Sequence, residues 1–352
     1  MSFSLNELEQ TELNKYKHII VWGFPLHTHT HSYIHAMWIK VFKDCFNKSV
    51  HWFEDNNYPK DFDYNDCIFI TEGYCERNIP VLETSVYFVH NALDPEKYLS
   101  KKARLIEIRF NVMEIHDVNN DFNLKDGTHN NIIYLSNETK YEKLTNNKDI
   151  YYKKRNNTIT PMNYECIYLF WATDLLPHEF DFTAINNIPE NKIYYIGSNA
   201  NSNHAHEFRN VCVSRGIEWI RIDPWSTPIS FEENRKLMQK SLLCPDFRPS
   251  GTTQDEVGFG KKNGKNHLEI GYLPCRVLKA ISYGKIGLTN SIHVKNILKE
   301  HVIYNDNMEK LFEEGIREIN NHEKILAAMK HVQENHTYFH RARDLIRALL
   351  QK

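Results

Sequence analysis

The chain has 352 residues, 41% of them hydrophobic, 25% charged and 12% aromatic, and its formal net charge is −2. That length supplies two cores rather than one, and the charge balance excludes a general nucleic-acid binder, which carries a clear basic excess. No apolar run approaches the roughly 18–20 residues of a membrane span.

In chain order, "MSFSLNELEQTELNKYK" is polar and acidic where a signal peptide has a basic start and an apolar core. Seven cysteines without a CxxC pair suit a reducing compartment. Together these lead us to expect a cytoplasmic protein with no transmembrane segment. "KHIIVWG" (17–23) then reads as a strand closed by glycine, "HSYIHAMWIKVFKDCF" (31–46) as a helix and "VHWFED" as a further extended stretch. "DCIFITEG" (66–73), "SVYFVHN" (85–91), "RLIEIRF" (104–110), "NIIYLSN" (131–137) and "ECIYLFW" (165–171) follow as strands, with Asn-, Lys- and Asp-rich surface connections expected over 111–163.

A more regular series starts near 190: strand 193–197, helix about 204–215, strand 217–222, a helix capped by Ser230 with Glu233, and strand 242–247. After a polar loop (248–270) come the helix and strand of "LPCRVLKAISYGKIGLTNS" (273–291), a helix in "SIHVKNILKE", the strand "HVIYND", one helix over 308–331 and a last helix over 337–352. Strand–helix alternation with short connections predicts an α/β fold of two doubly wound, Rossmann-like domains facing each other across a cleft. The expected boundaries are 1–185, 186–334 and a terminal helix, 335–352, crossing back to the first domain.

Ligands of such sheets bind beyond the carboxyl ends of the strands, so the loops there hold the candidate residues. "GFPLHTHTHSYIH" brings His27, His29, His31 and His35 close together after the first strand. Histidine serves as a base near neutral pH, as a metal ligand or simply as a loop residue. Glu72, His90 and Asp174 end later strands, as a second base or as acceptor-binding groups. In the second half, Gly197 and Ser198 form a small-residue turn before a helix, a generic phosphate cradle. Arg248, Glu269, Gly271 and Tyr272 flank a Gly- and Lys-rich insert. Arg276 and Lys279 lie three apart on one helix face, which meets either solvent or an anion.

The 193–306 stretch resembles the nucleotide-sugar-binding half of GT-B glycosyltransferases. "CPDF", "LEIGYLPCRVLKAISYG" and "KIGLTNS" parallel a strand, a Glu/Gly loop with a helix ending "EAMACG", and a strand "PVVAS". Retaining members carry two glutamates eight positions apart; Gly271 and Lys279 hold those places here, with Glu269 displaced by two. The resemblance implies transfer of a sugar from a nucleoside-diphosphate sugar to a hydroxyl of a glycan or glycoconjugate. It implies no metal and no cofactor beyond the donor as co-substrate, and the missing glutamates point to inversion. The donor would meet Gly197, Ser198, Arg248, Glu269, Gly271, Tyr272, Arg276 and Lys279; the acceptor would meet His27, His90 and Asp174. The base would be His29 or His31, with Glu72 next. Two alternatives are carried forward: a metal-dependent hydrolase built on His27, His29 and His31, and a non-catalytic nucleotide- or sugar-binding protein.

Overall fold

The computed structural model describes residues 3–28, 31–109, 132–133, 152–155, 158–161, 164–197, 203–224, 226–247, 268 and 272–351. They divide into two compact units, one formed by the residues before Phe170 together with Phe339 onward, the other by Phe170–Tyr338. Among the described residues no helix is long and apolar enough to cross a membrane.

The first unit contains α1 (Glu7–Asn14), β1 (His18–Trp22), α2 (Ser32–Asp44), β2 (Ser49–Phe53), β3 (Cys67–Glu72), β4 (Val86–His90), α3 (Glu96–Leu99) and β5 (Arg104–Arg109). It continues with β6 (Ile132–Ile133), β7 (Tyr152–Arg155), β8 (Thr158–Pro161) and β9 (Glu165–Tyr168). The sheet runs β2-β1-β3-β4-β5-β9-β6, and every neighbouring pair is parallel. Alternate residues of a strand face opposite sides. Ile20, Trp22, Phe69, Tyr87, Val89 and Leu105 share one core cluster, while the intervening Ile19, Val21, Ile68, Ile70, Phe88 and Ile106 are equally buried. Burial on both faces explains why these strands read as continuous apolar runs rather than as alternation. Within 111–163, where surface connections were expected, β7 and β8 instead pair antiparallel, with Tyr152 opposite Pro161 and Arg155 opposite Thr158.

The second unit has short 3-10 turns at Pro177–Glu179 and Phe182–Asn186, then β10 (Lys192–Ile196), α4 (Asn203–Ser214), β11 (Glu218–Ile222), α5 (Phe231–Lys240) and β12 (Cys244–Asp246). α6 (Cys275–Ser282), β13 (Gly287–Thr289), α7 (Ile292–Leu298), a 3-10 turn at Lys299–His301, β14 (Ile303–Tyr304), α8 (Met308–Glu318) and α9 (His322–Asn335) follow among the described residues. Its strands are all parallel but form two sets, β10-β11 and β12-β13-β14, not one continuous sheet. At the segment leading into β12 the Leu242 amide still donates to the Lys192 carbonyl of β10 at 2.7 Å, whereas the Tyr194 amide donates to the Ser241 hydroxyl (3.1 Å). Gly284 ends α6 at φ 83, and a Cβ there would lie 2.9 Å from the Ala184 carbonyl carbon, so both the left-handed backbone and the close approach require glycine.

The single helix expected over 308–331 is two, α8 and α9. Asn321 interrupts it by accepting from the Lys324 amide (3.1 Å) as the N-cap of α9. The last helix, α10 (Tyr338–Leu350), packs within the first unit from Phe339 onward. There the Phe339 ring lies 5.5 Å from that of Phe46 and 5.9 Å from that of Phe3. Arg104 donates to the Ala348, Leu349 and Gln351 carbonyls at the end of α10, at 3.0, 3.2 and 2.8 Å. These bonds satisfy carbonyls that a helix terminus otherwise leaves open.

Candidate functional site

The strand order reverses at β1, whose neighbours β2 and β3 continue in opposite directions through the sheet. A crevice outside the carboxyl ends of the strands at such a point is where parallel α/β sheets bind ligands. Three polar side chains converge there: His31 from the loop after β1, Glu72 at the end of β3 and His90 at the end of β4. Their ligand atoms all lie within 4.8 Å of one another.

Each side chain is placed by its backbone. His31 is the N-cap residue of α2, and its carbonyl accepts from the His35 amide at 2.9 Å. The β3–β4 register sets Glu72 opposite His90, and the Gly73 amide donates to the His90 carbonyl at 2.9 Å. A Cβ at Gly73 would lie 2.1 Å from the Asn91 carbonyl oxygen, so glycine allows the two strand ends to stay this close.

His31 Nδ1 hydrogen-bonds Glu72 Oε2, and His90 Nδ1 lies 3.8 Å from the same oxygen. The two imidazole rings are 4.9 Å apart and nearly perpendicular, at 72°. The side chains of Glu72 and His90 are 2% and 5% exposed against 21% for His31, so the carboxylate is sealed and only His31 reaches outward. A carboxylate behind an imidazole fixes its tautomer and stabilises the imidazolium, leaving Nε2 to exchange a proton.

The other histidines of the loop separate from this cluster. His27 adopts a left-handed backbone (φ 70), and its Nδ1 meets the Tyr33 hydroxyl at 3.1 Å. His35 is buried against Gly23, where a Cβ would lie 1.9 Å from its ring. His29 lies outside the described residues.

In the second unit, Ser198, Arg248, Glu269 and Gly271 also lie outside the described residues. Tyr272 accepts from the Trp171 indole N–H at 3.0 Å. Arg276 donates to the Tyr195 hydroxyl (2.9 Å) and the Ile196 carbonyl (3.0 Å), lies 3.8 Å from Asp246 and sits over the Tyr195 ring. Gly197 makes room for it, since a Cβ there would lie 1.9 Å from Arg276 Nη2. Burial works against this guanidinium, yet Tyr195 and Asp246 keep its pKa above the ordinary arginine value. Lys279 Nζ lies 3.3 Å from Asp174 Oδ2. Asp174 is itself buried, with the Tyr283 hydroxyl donating to its two carboxylate oxygens at 2.5 and 2.6 Å. Burial and this carboxylate hold the Tyr283 hydroxyl well above its usual range.

Both cations of α6 therefore face acidic partners of their own unit, and Asp174 points inward. Asp246 and Tyr283 were not among the sequence candidates. Asp246 ends a strand, the position that marked the others; Tyr283 carried no signal beyond its place beside Gly284. No family model, curated protein or solved structure matches this chain.

Proposed function

We infer that the protein is a glycosyltransferase that moves a sugar from a nucleoside-diphosphate sugar to a hydroxyl of a glycan or glycoconjugate, with inversion and without a metal in the transfer step. The observation that carries this reading is the His31–Glu72 pair at the reversal point of the parallel sheet. An acceptor hydroxyl gives its proton to His31 Nε2 while its oxygen bonds the anomeric carbon. The bond from that carbon to the diphosphate breaks on the opposite side, and the nucleoside diphosphate leaves with the electron pair. Glu72, behind His31, stabilises the imidazolium that forms.

The GT-B-like motifs over 193–306 support assigning the donor to the second unit. Arg276 sits beside Gly197 at the carboxyl end of β10, where a guanidinium can bond a phosphate oxygen in place of the Tyr195 hydroxyl. The test is incubation of the protein with a panel of nucleotide sugars and candidate glycan acceptors, following release of nucleoside diphosphate and the anomeric proton signals by NMR. Release of diphosphate with inverted product supports the reading; a panel without turnover, or a retained product, opposes it.

A further inference from the structure

The same corner of the first unit has a second chemical capacity, ion binding, which is independent of whether sugar transfer occurs there; only its inhibitory consequence rests on the transferase reading. Two imidazoles and one carboxylate, from three separate loops or strand ends, bring one ligand atom each to within 4.8 Å of one another. We propose that His31, Glu72 and His90 form a binding site for one divalent first-row transition ion of the zinc class, and that this ion opposes the base function of His31.

The donor set decides the ion. Two nitrogens and a carboxylate oxygen, with no thiolate, match three-ligand zinc or ferrous sites, which leave further positions to water. Calcium and magnesium prefer all-oxygen shells and fit this set poorly. The supports are rigid. Glu72 and His90 are neighbours in a parallel ladder, while His31 is held at the first turn of α2. A first-row ion sits about 2.0–2.1 Å from imidazole nitrogen, so small side-chain rotations from the present hydrogen-bonded arrangement bring all three atoms onto one centre. Burial of Glu72 adds to the case, since a sealed carboxylate gains more from an adjacent cation than an exposed one does.

An ion here occupies the carboxylate on which His31 depends and draws on the imidazole lone pairs. Metal loading and proton transfer by His31 therefore exclude one another. The metal-independent transfer proposed above describes the unloaded protein, and the ion acts as an inhibitor of it.

The experiment loads chelator-treated, full-length protein with Co2+ and with Zn2+, without any nucleotide sugar. One equivalent of bound ion is expected, with visible Co2+ d–d absorption and a zinc X-ray absorption spectrum reporting two imidazoles, remaining oxygen ligands and no sulfur. His90→Gln and Glu72→Gln should each lose the stoichiometric binding. His51→Ala should keep it; its target lies in a separate imidazole pair, where His18 and His51 rings are 4.9 Å apart. No stoichiometric ion in the wild type, sulfur in the shell, or binding that survives His90→Gln overturns the proposal. The absorption spectrum is read on the wild type, so it decides the matter even where a variant fails to fold. Because no donor is present, failure here is distinct from failure of the transferase reading.

Discussion

Glu9 and Arg343 lie 334 positions apart in the chain, yet Arg343 Nε donates to both carboxylate oxygens of Glu9 at 2.9 Å. Arg347 Nε adds a third bond at 2.7 Å, so α1 and α10 close the first unit by a buried acid held between two guanidinium groups. Glu9→Ala removes the acid and leaves both cations facing each other; it should destabilise the first unit by about 2–3 kcal/mol. Denaturant titration followed by far-UV circular dichroism measures this, and a midpoint unchanged from wild type contradicts it.

That pair also sets a response to acid. Burial alone would raise the Glu9 carboxyl, but the bonds from Arg343, the Asn6 amide and Arg347 hold it below its usual value. A carboxyl with a lowered folded-state pKa contributes stability that is present above its unfolded pKa and lost as pH falls through the folded one. The wild type should lose this stabilisation below about pH 4. Glu9→Gln should flatten the decline, as read by thermal unfolding between pH 3 and 5.

Asp344 responds with the opposite sign. Burial pushes its carboxyl up to about 7, against the pull of Arg341, Arg347 and Arg343. The folded chain then keeps a proton that the unfolded chain releases, so stability falls as pH rises between roughly 4 and 7. From pH 5.5 to 8 this one group should cost about 2 kcal/mol. Asp344→Asn should remove that slope; a wild-type and variant pair with parallel pH profiles contradicts the assignment.

In the second unit, Tyr283→Phe strips a hydroxyl from the buried Asp174, and Lys279→Ala strips the nearby charge. Each should lower stability by about 1.5–3 kcal/mol, the range for hydrogen bonds to charged groups. If Lys279→Ala instead leaves unfolding unchanged and weakens nucleotide-sugar binding, the lysine serves the ligand and not Asp174.

The apolar strands were legible because burial on both sheet faces writes itself as "HIIVW" or "CIFIT". α1 was not. Two of its three buried residues are the acids Glu9 and Glu12, so its inward face has no hydrophobic stripe, and the partners of Glu9 come from the far end of the chain. The interruption at Asn321 was readable as a cap, but apolar spacing on both sides hid it. At the candidate site, His31, Glu72 and His90 were each recognisable as residues at a strand end or in the loop beyond one. Their grouping depended on the order β1-β3-β4, which spacing along the chain does not encode. Arg276 and Lys279 read as unpaired cations for the same reason: Asp246 and Asp174 reach them only through the fold.

The central claim is that His31, backed by Glu72, takes the proton of the acceptor hydroxyl. The most direct measurement compares turnover and donor affinity of the wild type with those of His31→Ala, using a nucleotide sugar that the wild type consumes. Turnover should fall by about 10²–10⁴ while donor affinity stays the same, and Glu72→Gln should lower turnover in the same direction with donor affinity again unchanged. A His31→Ala variant that folds and retains wild-type turnover contradicts the account.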